Sequence, residues 1–467
     1  MIKEINPFIF REYDIRGVME KDLSPELFHD LGRTFAAHLR AEGRQANLTV
    51  AVGRDGRISS PVLAQGLIDG LVMAGMRVID VGLTPTPGLY FATHHFKADA
   101  GLMITGSHNP PDHNGLKMVR AGRPVYGVEI QALKRRLEAG DHPTIAGGSF
   151  EKREILATYV ERICTDFHPG RSLKVILDCG NGATGVVAGE ILRRLPGIHG
   201  EVLFAEVDGT FPNHHPDPTE PKNLEFMAAR MQQTGAELGI AFDGDGDRIG
   251  AMDASGRILW GDMLMILFAR DILARDPGAA VIGDVKCSQR LFDAVAKAGG
   301  EPIMWKTGHS LIKSKMRETG APLAGEMSGH LFFADRYYGF DDALYAAMRL
   351  LELAVARPGM LLDELADLPV MHASPELRIP CPDDQKFVIM ERVLARLRDA
   401  GAALSDIDGA RVRVANGWWL LRVSNTQPIL VARAEATSEA RLTEILADLA
   451  GLLAKEGVAF GAGKGHA

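Results

Sequence analysis

Asp243-Gly244-Asp245-Gly246-Asp247-Arg248 sets three carboxylates at alternate positions, with glycines between them and an arginine at the end. Such a run repels itself and has poor helix and strand propensity, so something must hold it together. A hard divalent cation does so, because carboxylate oxygens are its preferred ligands and glycines let the backbone curl round it. The preceding Leu238-Gly239-Ile240-Ala241-Phe242 reads as a short buried strand, which puts the loop at a strand's C-terminal end. A solvated acidic turn is the bland alternative. An EF-hand fits poorly: its sixth position would be Arg248 instead of Gly and its twelfth Ala254 instead of Glu. Mg²⁺ at a phosphoryl-transfer site fits better, since few protein ligands leave room for water and a phosphate oxygen.

Other loops carry compatible chemistry. Ser107 lies between Gly106 and His108, with Pro110 and Pro111 beyond. Glycine permits a tight turn and the prolines stiffen its exit, presenting a hydroxyl on a rigid loop; a serine bonding its own turn is the alternative. Lys117 follows on a short extended run, Gly115–Met118, where a plain surface lysine is the alternative. Glu326 and Ser328 flank Met327 between glycines, and in an extended loop both would point one way, as suits sugar hydroxyls. Arg422, Ser424, Asn425 and Thr426 end an apolar strand with a guanidinium fork, hydroxyls and an amide, all able to meet phosphate oxygens or to cap a hairpin. Thr307-Gly308-His309-Ser310 opens a helical pattern whose free N–H groups could take an anion, with His309 a proton carrier or a cap neighbour. Gly180–Gly185 is a formal GxGxxG after a strand, with Glu206 roughly 20 residues on, near the end of the next strand, as in a dinucleotide fingerprint. Asp178 just before it would repel a pyrophosphate and nothing nearby suits hydride chemistry, so a glycine-built strand-to-helix turn is the simpler account.

The elements that must position these loops repeat. Strand-helix-strand-helix-strand is read three times, with strands at Leu48–Gly53, Arg77–Gly82 and Ala100–Thr105, then Lys174–Asp178, Glu201–Val207 and Glu237–Phe242, then Ala280–Asp284, Pro302–Lys306 and Pro322–Gly325. Each unit calls for a parallel or mostly parallel sheet, and each third strand opens into one of the unusual loops. After Pro380 the order changes to a helix, three strands and a last helix, an α+β arrangement. The expected fold is therefore three similar mixed α/β domains plus a C-terminal α+β domain around a central cleft. The expected bounds are 1–150 for the Ser107 loop, 151–254 for the Asp loop, 255–370 for the sugar loop and 371–467 for the phosphate loop.

Composition sets the outer limits. A chain of 467 residues, 46% hydrophobic and 24% charged, can build several cores. A net charge of −8 argues against nucleic acid or an anionic membrane as main partner. The four cysteines form no CxxC, there is no apolar signal core near the start, and no run of about 18 apolar residues occurs. The expectation is a cytoplasmic protein.

Phe10–Gly17, Thr105–Pro110, Asp243–Arg248, Gly325–His330 and Arg422–Pro428 together resemble the α-D-phosphohexomutase superfamily, most closely its bacterial phosphomannomutase/phosphoglucomutase group, over essentially the whole chain. The resemblance implies that Ser107 carries the phosphoryl group and that Asp243, Asp245 and Asp247 hold Mg²⁺ together with a phosphoserine oxygen. It implies Arg248 beside that site, Lys117 and His309 as candidates for proton transfer, and Tyr13, Arg16, Lys286 and His330 completing the pocket. It assigns Glu326 and Ser328 to sugar hydroxyls, and Arg422, Ser424, Asn425 and Thr426 to the phosphate already on the substrate. The implied reaction moves a phosphoryl group between the 1- and 6-positions of hexose phosphates, with glucose 1,6-bisphosphate as intermediate and activator. Met327 in the sugar loop favours the mannose/glucose group; phosphoglucosamine mutases usually carry Gln there. A phosphoglucosamine mutase and, more remotely, an NAD-binding oxidoreductase are the alternatives.

Overall fold

The computed structural model describes residues 5–41, 43, 48–357, 359, 361–424 and 427–459. Four sheets carry the chain. In the first, Thr49–Arg54 is flanked in parallel by Arg77–Leu83 and Ala100–Ile104. In the second, Leu173–Asp178 is flanked by Ile198–Leu203 and Leu238–Phe242, and in the third Ala280–Asp284 by Glu301–Trp305 and Leu323–Gly325. Each unit thus has the spatial order third-first-second. Each also has a returning strand antiparallel to the third strand: His113–Arg120, which contains the extended run expected at Gly115–Met118, and Ile249–Asp253 and Leu331–Phe333, which the pattern reading did not separate. The Ser107, Asp243 and Glu326 loops are therefore each the hairpin between a buried parallel strand and its antiparallel return, pinned at both ends.

One expected strand is displaced. Glu201–Val207 is instead Ile198–Leu203, because Phe204 takes a left-handed backbone (φ 51°) that ends the ladder. Glu206 accordingly lies in a loop beyond the strand.

One apolar core is shared by the first three units, from Leu89 and Tyr159 through Phe242 and Phe268 to Tyr345, and the first unit has a second core around Phe28, Leu67 and Leu133. The helix Ala343–Ala356 is almost wholly buried within the shared core, and Asp342 caps its start by accepting the Tyr345 N–H at 2.9 Å. The fourth sheet is antiparallel, with Gly417–Val423 between Ala410–Val414 and Ile429–Ala436, and with its own core under the helices Asp383–Asp399 and Glu439–Ala454. It meets the third unit through a small apolar patch of Val285, Trp418 and Leu420.

Candidate active site

Ser107 is buried and held in the left-handed region (φ 50°), an uncommon place for a residue with a side chain. Its N–H donates to Thr105 Oγ1 at 2.8 Å. Its carbonyl accepts from Arg57 at 2.7 Å, and the same guanidinium donates to the carbonyls of Asn109, Pro110 and His113. Arg57 is in turn paired with buried Asp55, whose other contacts are the Gly106 N–H and the Ser60 hydroxyl. Gly106 is glycine because a Cβ would fall 2.2 Å from the Arg57 side chain. Arg16 donates to the Thr105 carbonyl and is oriented by Asp14 at 2.8 Å. The Ser107 hydroxyl ends up 3.0 Å from Asp243 Oδ2.

The Asp loop curls as its glycines allow. Asp243 Oδ1 accepts the backbone N–H groups of Gly246, Asp247 and Arg248, leaving Oδ2 for Ser107. Asp245 Oδ2 accepts from Thr86, Thr105 and Lys117, and Lys117 also bonds Asp247 Oδ2. Burial, with Asp247 and Asp245 close by, raises the Asp243 carboxyl well above its ordinary range. Burial also opposes ionisation of Asp245, but Lys117, Thr86 and Arg16 outweigh it and hold that group low. Burial would push the Lys117 ammonium down; Asp245 and Asp247 more than reverse this, so the lysine stays charged.

The set fits a hard cation. The three carboxylates offer oxygens within 4.8 Å of one another, and Asp245 Oδ1 and Asp247 Oδ1 are buried without a hydrogen-bond partner. Asp247, His330 and Asp341 are equally close together, but they do not fit. Arg248 Nε donates to His330 Nε2 at 3.0 Å, so that nitrogen is the acceptor and Nδ1 carries the proton, aimed at Asp341 Oδ2 at 3.3 Å. His330 has no lone pair left there for a metal.

His309 stacks on His330, with ring centroids 5.5 Å apart, and turns Nδ1 toward the same Asp341 oxygen at 3.4 Å. Asp341 is fixed from its other oxygen by Lys313 at 2.7 Å. Burial, then Lys313, lowers the His309 pKa, so the ring is neutral near pH 7; a proton on Nδ1 leaves Nε2 as a free base. Glu326 and Ser328 sit in a turn, not the extended loop expected, because Gly329 N–H closes back on the Glu326 carbonyl at 3.0 Å. The two side chains still converge: Ser328 Oγ donates to Glu326 Oε2 at 3.1 Å. Lys286 pairs with Glu376 at 3.2 Å.

Of the anion site expected at this helix start, the two leading amides are taken within the protein. Thr307 N–H donates to Asp408 Oδ2 at 3.1 Å and Gly308 N–H to Glu326 Oε1. Tyr13 reaches the same loop, donating to the Thr307 carbonyl at 2.8 Å. Arg422 is buried and donates from Nε to Asp408 at 2.9 Å. Ser424 Oγ accepts the Gln427 N–H at 3.1 Å, while Asn425 and Thr426 lie outside the described residues.

The GxGxxG turn has no room for a dinucleotide phosphate. Ala183 N–H donates to the Gly244 carbonyl at 2.9 Å, and a Cβ on Gly182 would lie 2.8 Å from that oxygen. His214, 3.1 Å from both Asp178 oxygens, and Pro216 lie against Gly180. The turn buttresses the Asp loop.

Sequence reasoning missed Arg57 with Asp55, and Asp341 with Lys313. Both pairs act on other residues and sit outside the loop motifs, so spacing gave no signal beyond the Asp341-Asp342 doublet at a helix start.

Four family models match consecutive stretches, described as phosphoglucomutase/phosphomannomutase alpha/beta/alpha domain I (residues 7–143), domain II (157–256), domain III (260–371) and C-terminal domain (376–452). A Pseudomonas putida phosphomannomutase/phosphoglucomutase is 50% identical over 438 residues, 94% of this chain and 93% of that one. A Neisseria gonorrhoeae phosphoglucomutase is 44% identical over 444 residues, 94% of this chain and 95% of that one. A crystal structure of a phosphoglucomutase/phosphomannomutase family protein from Burkholderia thailandensis superposes with a TM-score of 0.90 at 45% identity, covering 97% of this chain and 99% of that one.

Proposed function

The chain belongs to the phosphoglucomutase/phosphomannomutase family, and we propose that it moves the phosphoryl group of mannose and glucose phosphates between O1 and O6 by way of Ser107. It is an isomerase, an intramolecular phosphotransferase. The observation that carries the serine assignment is the geometry of its hydroxyl: strained, fixed by Arg57 and Thr105, and 3.0 Å from Asp243 in a buried triad of carboxylates.

In this reading phosphoSer107 gives its phosphoryl group to the free hydroxyl of a hexose monophosphate, making glucose 1,6-bisphosphate when the sugar is glucose. The hydroxyl proton passes to His309, and Lys117 is the candidate to return one. Charge on Lys117 makes it the better donor, and the free Nε2 of His309 the better base. Asp243, Asp245 and Asp247 would hold Mg²⁺, which supplies charge neutralisation at the transferring phosphoryl oxygens. Arg16 and Arg248 add positive charge beside the same oxygens. Glu326 and Ser328 bind sugar hydroxyls, with Lys286, His330 and Tyr13 lining the pocket. Arg422, Ser424, Asn425 and Thr426 clamp the phosphate that is not transferred. The bisphosphate then turns end for end, and its other phosphate returns to Ser107. The division of labour among residues 1–150, 151–254, 255–370 and 371–467 belongs to this proposal. So does a cytoplasmic location, which four free cysteines favour; no helix among the described residues is long and apolar enough to cross a membrane. The names of relatives 46–50% identical to this chain speak against a phosphoglucosamine mutase.

The test is peptide mapping of the purified protein. A fraction heavier by one phosphate on the Ser107 peptide is expected, and Ser107→Ala should lose mutase activity with glucose 1-phosphate. Phosphate on another residue, or a fully active Ser107→Ala enzyme, would reduce the hydroxyl to a turn element.

A further inference from the structure

One oxygen of Asp408 joins two walls of the cleft. It accepts Arg422 Nε at 2.9 Å and the Thr307 backbone N–H at 3.1 Å. Asp408 lies between the strands Ala403–Ser405 and Ala410–Val414 of the fourth sheet, while Thr307 leads into the helix His309–Thr319 of the third unit. The gripped peptide is itself fixed: its carbonyl accepts from Tyr13 at 2.8 Å, and the Thr307 hydroxyl donates to Asp284 at 2.9 Å.

The choice of nitrogen matters. A carboxylate on Nε sets the plane of the guanidinium and leaves its terminal N–H groups as a fork for phosphate. Arg422 is nearly sealed, at 7% side-chain exposure, whereas Asp408 keeps 15%. A buried arginine whose long side chain can adopt many rotamers gains one orientation from this contact.

We propose that Asp408 is a positioning residue for the phosphate clamp. It aims the Arg422 fork at the substrate phosphate and couples that aim to the seating of the fourth sheet on the Thr307 loop. The inference rests on the reading that Arg422 holds the untransferred phosphate. A carboxylate in this place could instead act as a stand-in for phosphate that substrate must displace, and that role has the opposite sign: removing it would tighten binding.

Steady-state kinetics with glucose 1-phosphate separate the two, using Asp408→Ala, Asp408→Asn, Arg422→Ala and the Asp408→Ala/Arg422→Ala double variant. For Asp408→Ala, KM should rise roughly tenfold or more, the loss of a charge-assisted hydrogen bond, with kcat within about threefold. Asp408→Asn keeps an oxygen that accepts from both N–H groups and should recover most of that loss. Once Arg422 is alanine, removing Asp408 should add little. An unchanged or lowered KM in Asp408→Ala overturns the proposal, as does a loss that persists undiminished without Arg422. Should Asp408→Ala fail to fold, Asp408→Ser decides in the same way. An Arg422→Ala enzyme with unchanged KM would sink the clamp reading and this inference together, whereas an effect in Arg422→Ala without one in Asp408→Ala sinks only the inference.

Discussion

The Ser107 and Asp243 loops and the Arg422 loop face one cleft but are held by different means. Around Ser107, Arg57 binds four backbone carbonyls, Lys117 bridges two buried aspartates, and the surrounding units share one apolar core. Arg422 belongs to a sheet with a separate core, and it reaches the Thr307 loop through a single carboxylate. Other links between the fourth sheet and the third unit are local: the small apolar patch of Val285, Trp418 and Leu420, and polar contacts from Arg411 to the carbonyls of Val285 and Cys287 and from the Ser288 hydroxyl to Glu435 at 2.8 Å. Phosphoryl transfer rewards fixed reacting atoms, since small misplacements cost large factors in rate. An intermediate that must turn over rewards a grip that can be released. On the proposed function, the two sides answer these opposite demands.

The largest effect on the fixed side should come from His309. Its neutral ring is a base only while unprotonated, and burial with Lys313 nearby sets that transition below the ordinary 6.5. Activity should be level near pH 7 and fall on the acid side below 6.5. His309→Gln should cut kcat by roughly 10²–10⁴, and its residual activity should lack that acid limb. A limb that persists in the variant would assign the titration elsewhere.

Arg57→Ala should lower kcat about 100-fold, the scale of a small shift in a reacting group, with little change in KM. It also strands buried Asp55, which would cost about 3–5 kcal/mol of stability, measurable by denaturant unfolding. A variant that loses stability but keeps kcat would show that the left-handed Ser107 needs no such brace.

Arg422→Ala should do the reverse. Losing a charge-assisted contact to a buried anion should weaken binding by roughly 2–3 kcal/mol, read in KM, and equally for mannose and glucose substrates because the phosphate is common to both. A drop confined to kcat would place Arg422 on the fixed side and erase the contrast. An effect on one sugar only would mean that it reads hydroxyls.

How much of this was legible in the sequence follows from what each residue acts on. In the proposed function Ser107, the Asp loop, Glu326 and Arg422 face a ligand, so their types and spacing carry the chemistry directly. Strands such as Ala280–Asp284 were legible because burial on both faces leaves an unbroken apolar run. The returning strand Leu331–Phe333 is too short to show a period. The strand over Ile198–Leu203 was misplaced because Phe204, an apolar residue that prolongs the pattern, has a left-handed backbone that composition does not betray. Arg57, Asp341 and Asp408 act on other protein groups far along the chain, and only the folded pairing makes them visible. At the anion site expected at Thr307, the amides of Thr307 and Gly308 are met by Asp408 and Glu326, which no local spacing could announce.

The smallest effect should come from another polar link on the clamp side. Lys286 lies 3.2 Å from Glu376, which sits between the strands His372–Ala373 and Leu377–Pro380 of the fourth sheet. Lys286, with Arg378 adding to it, holds the Glu376 carboxyl at about 2, below the ordinary 4.5. A folded-state pKa below the unfolded one means that folding releases a proton between those values. The contribution to stability is thus complete above about 4.5 and lost as pH falls toward 2. The glutamate side chain is 26% exposed, so solvent screens the pair and its contribution is roughly 1 kcal/mol or less. Glu376→Gln should therefore lower Tm at pH 7 by about 2 °C, and its gap to wild type should narrow between pH 5 and pH 3. A constant gap would mean that the contact is not ionic. A gap as wide as that of Arg57→Ala would mean that the clamp side is fastened as firmly as the serine side, and the release that a turning intermediate needs would have to come from somewhere else.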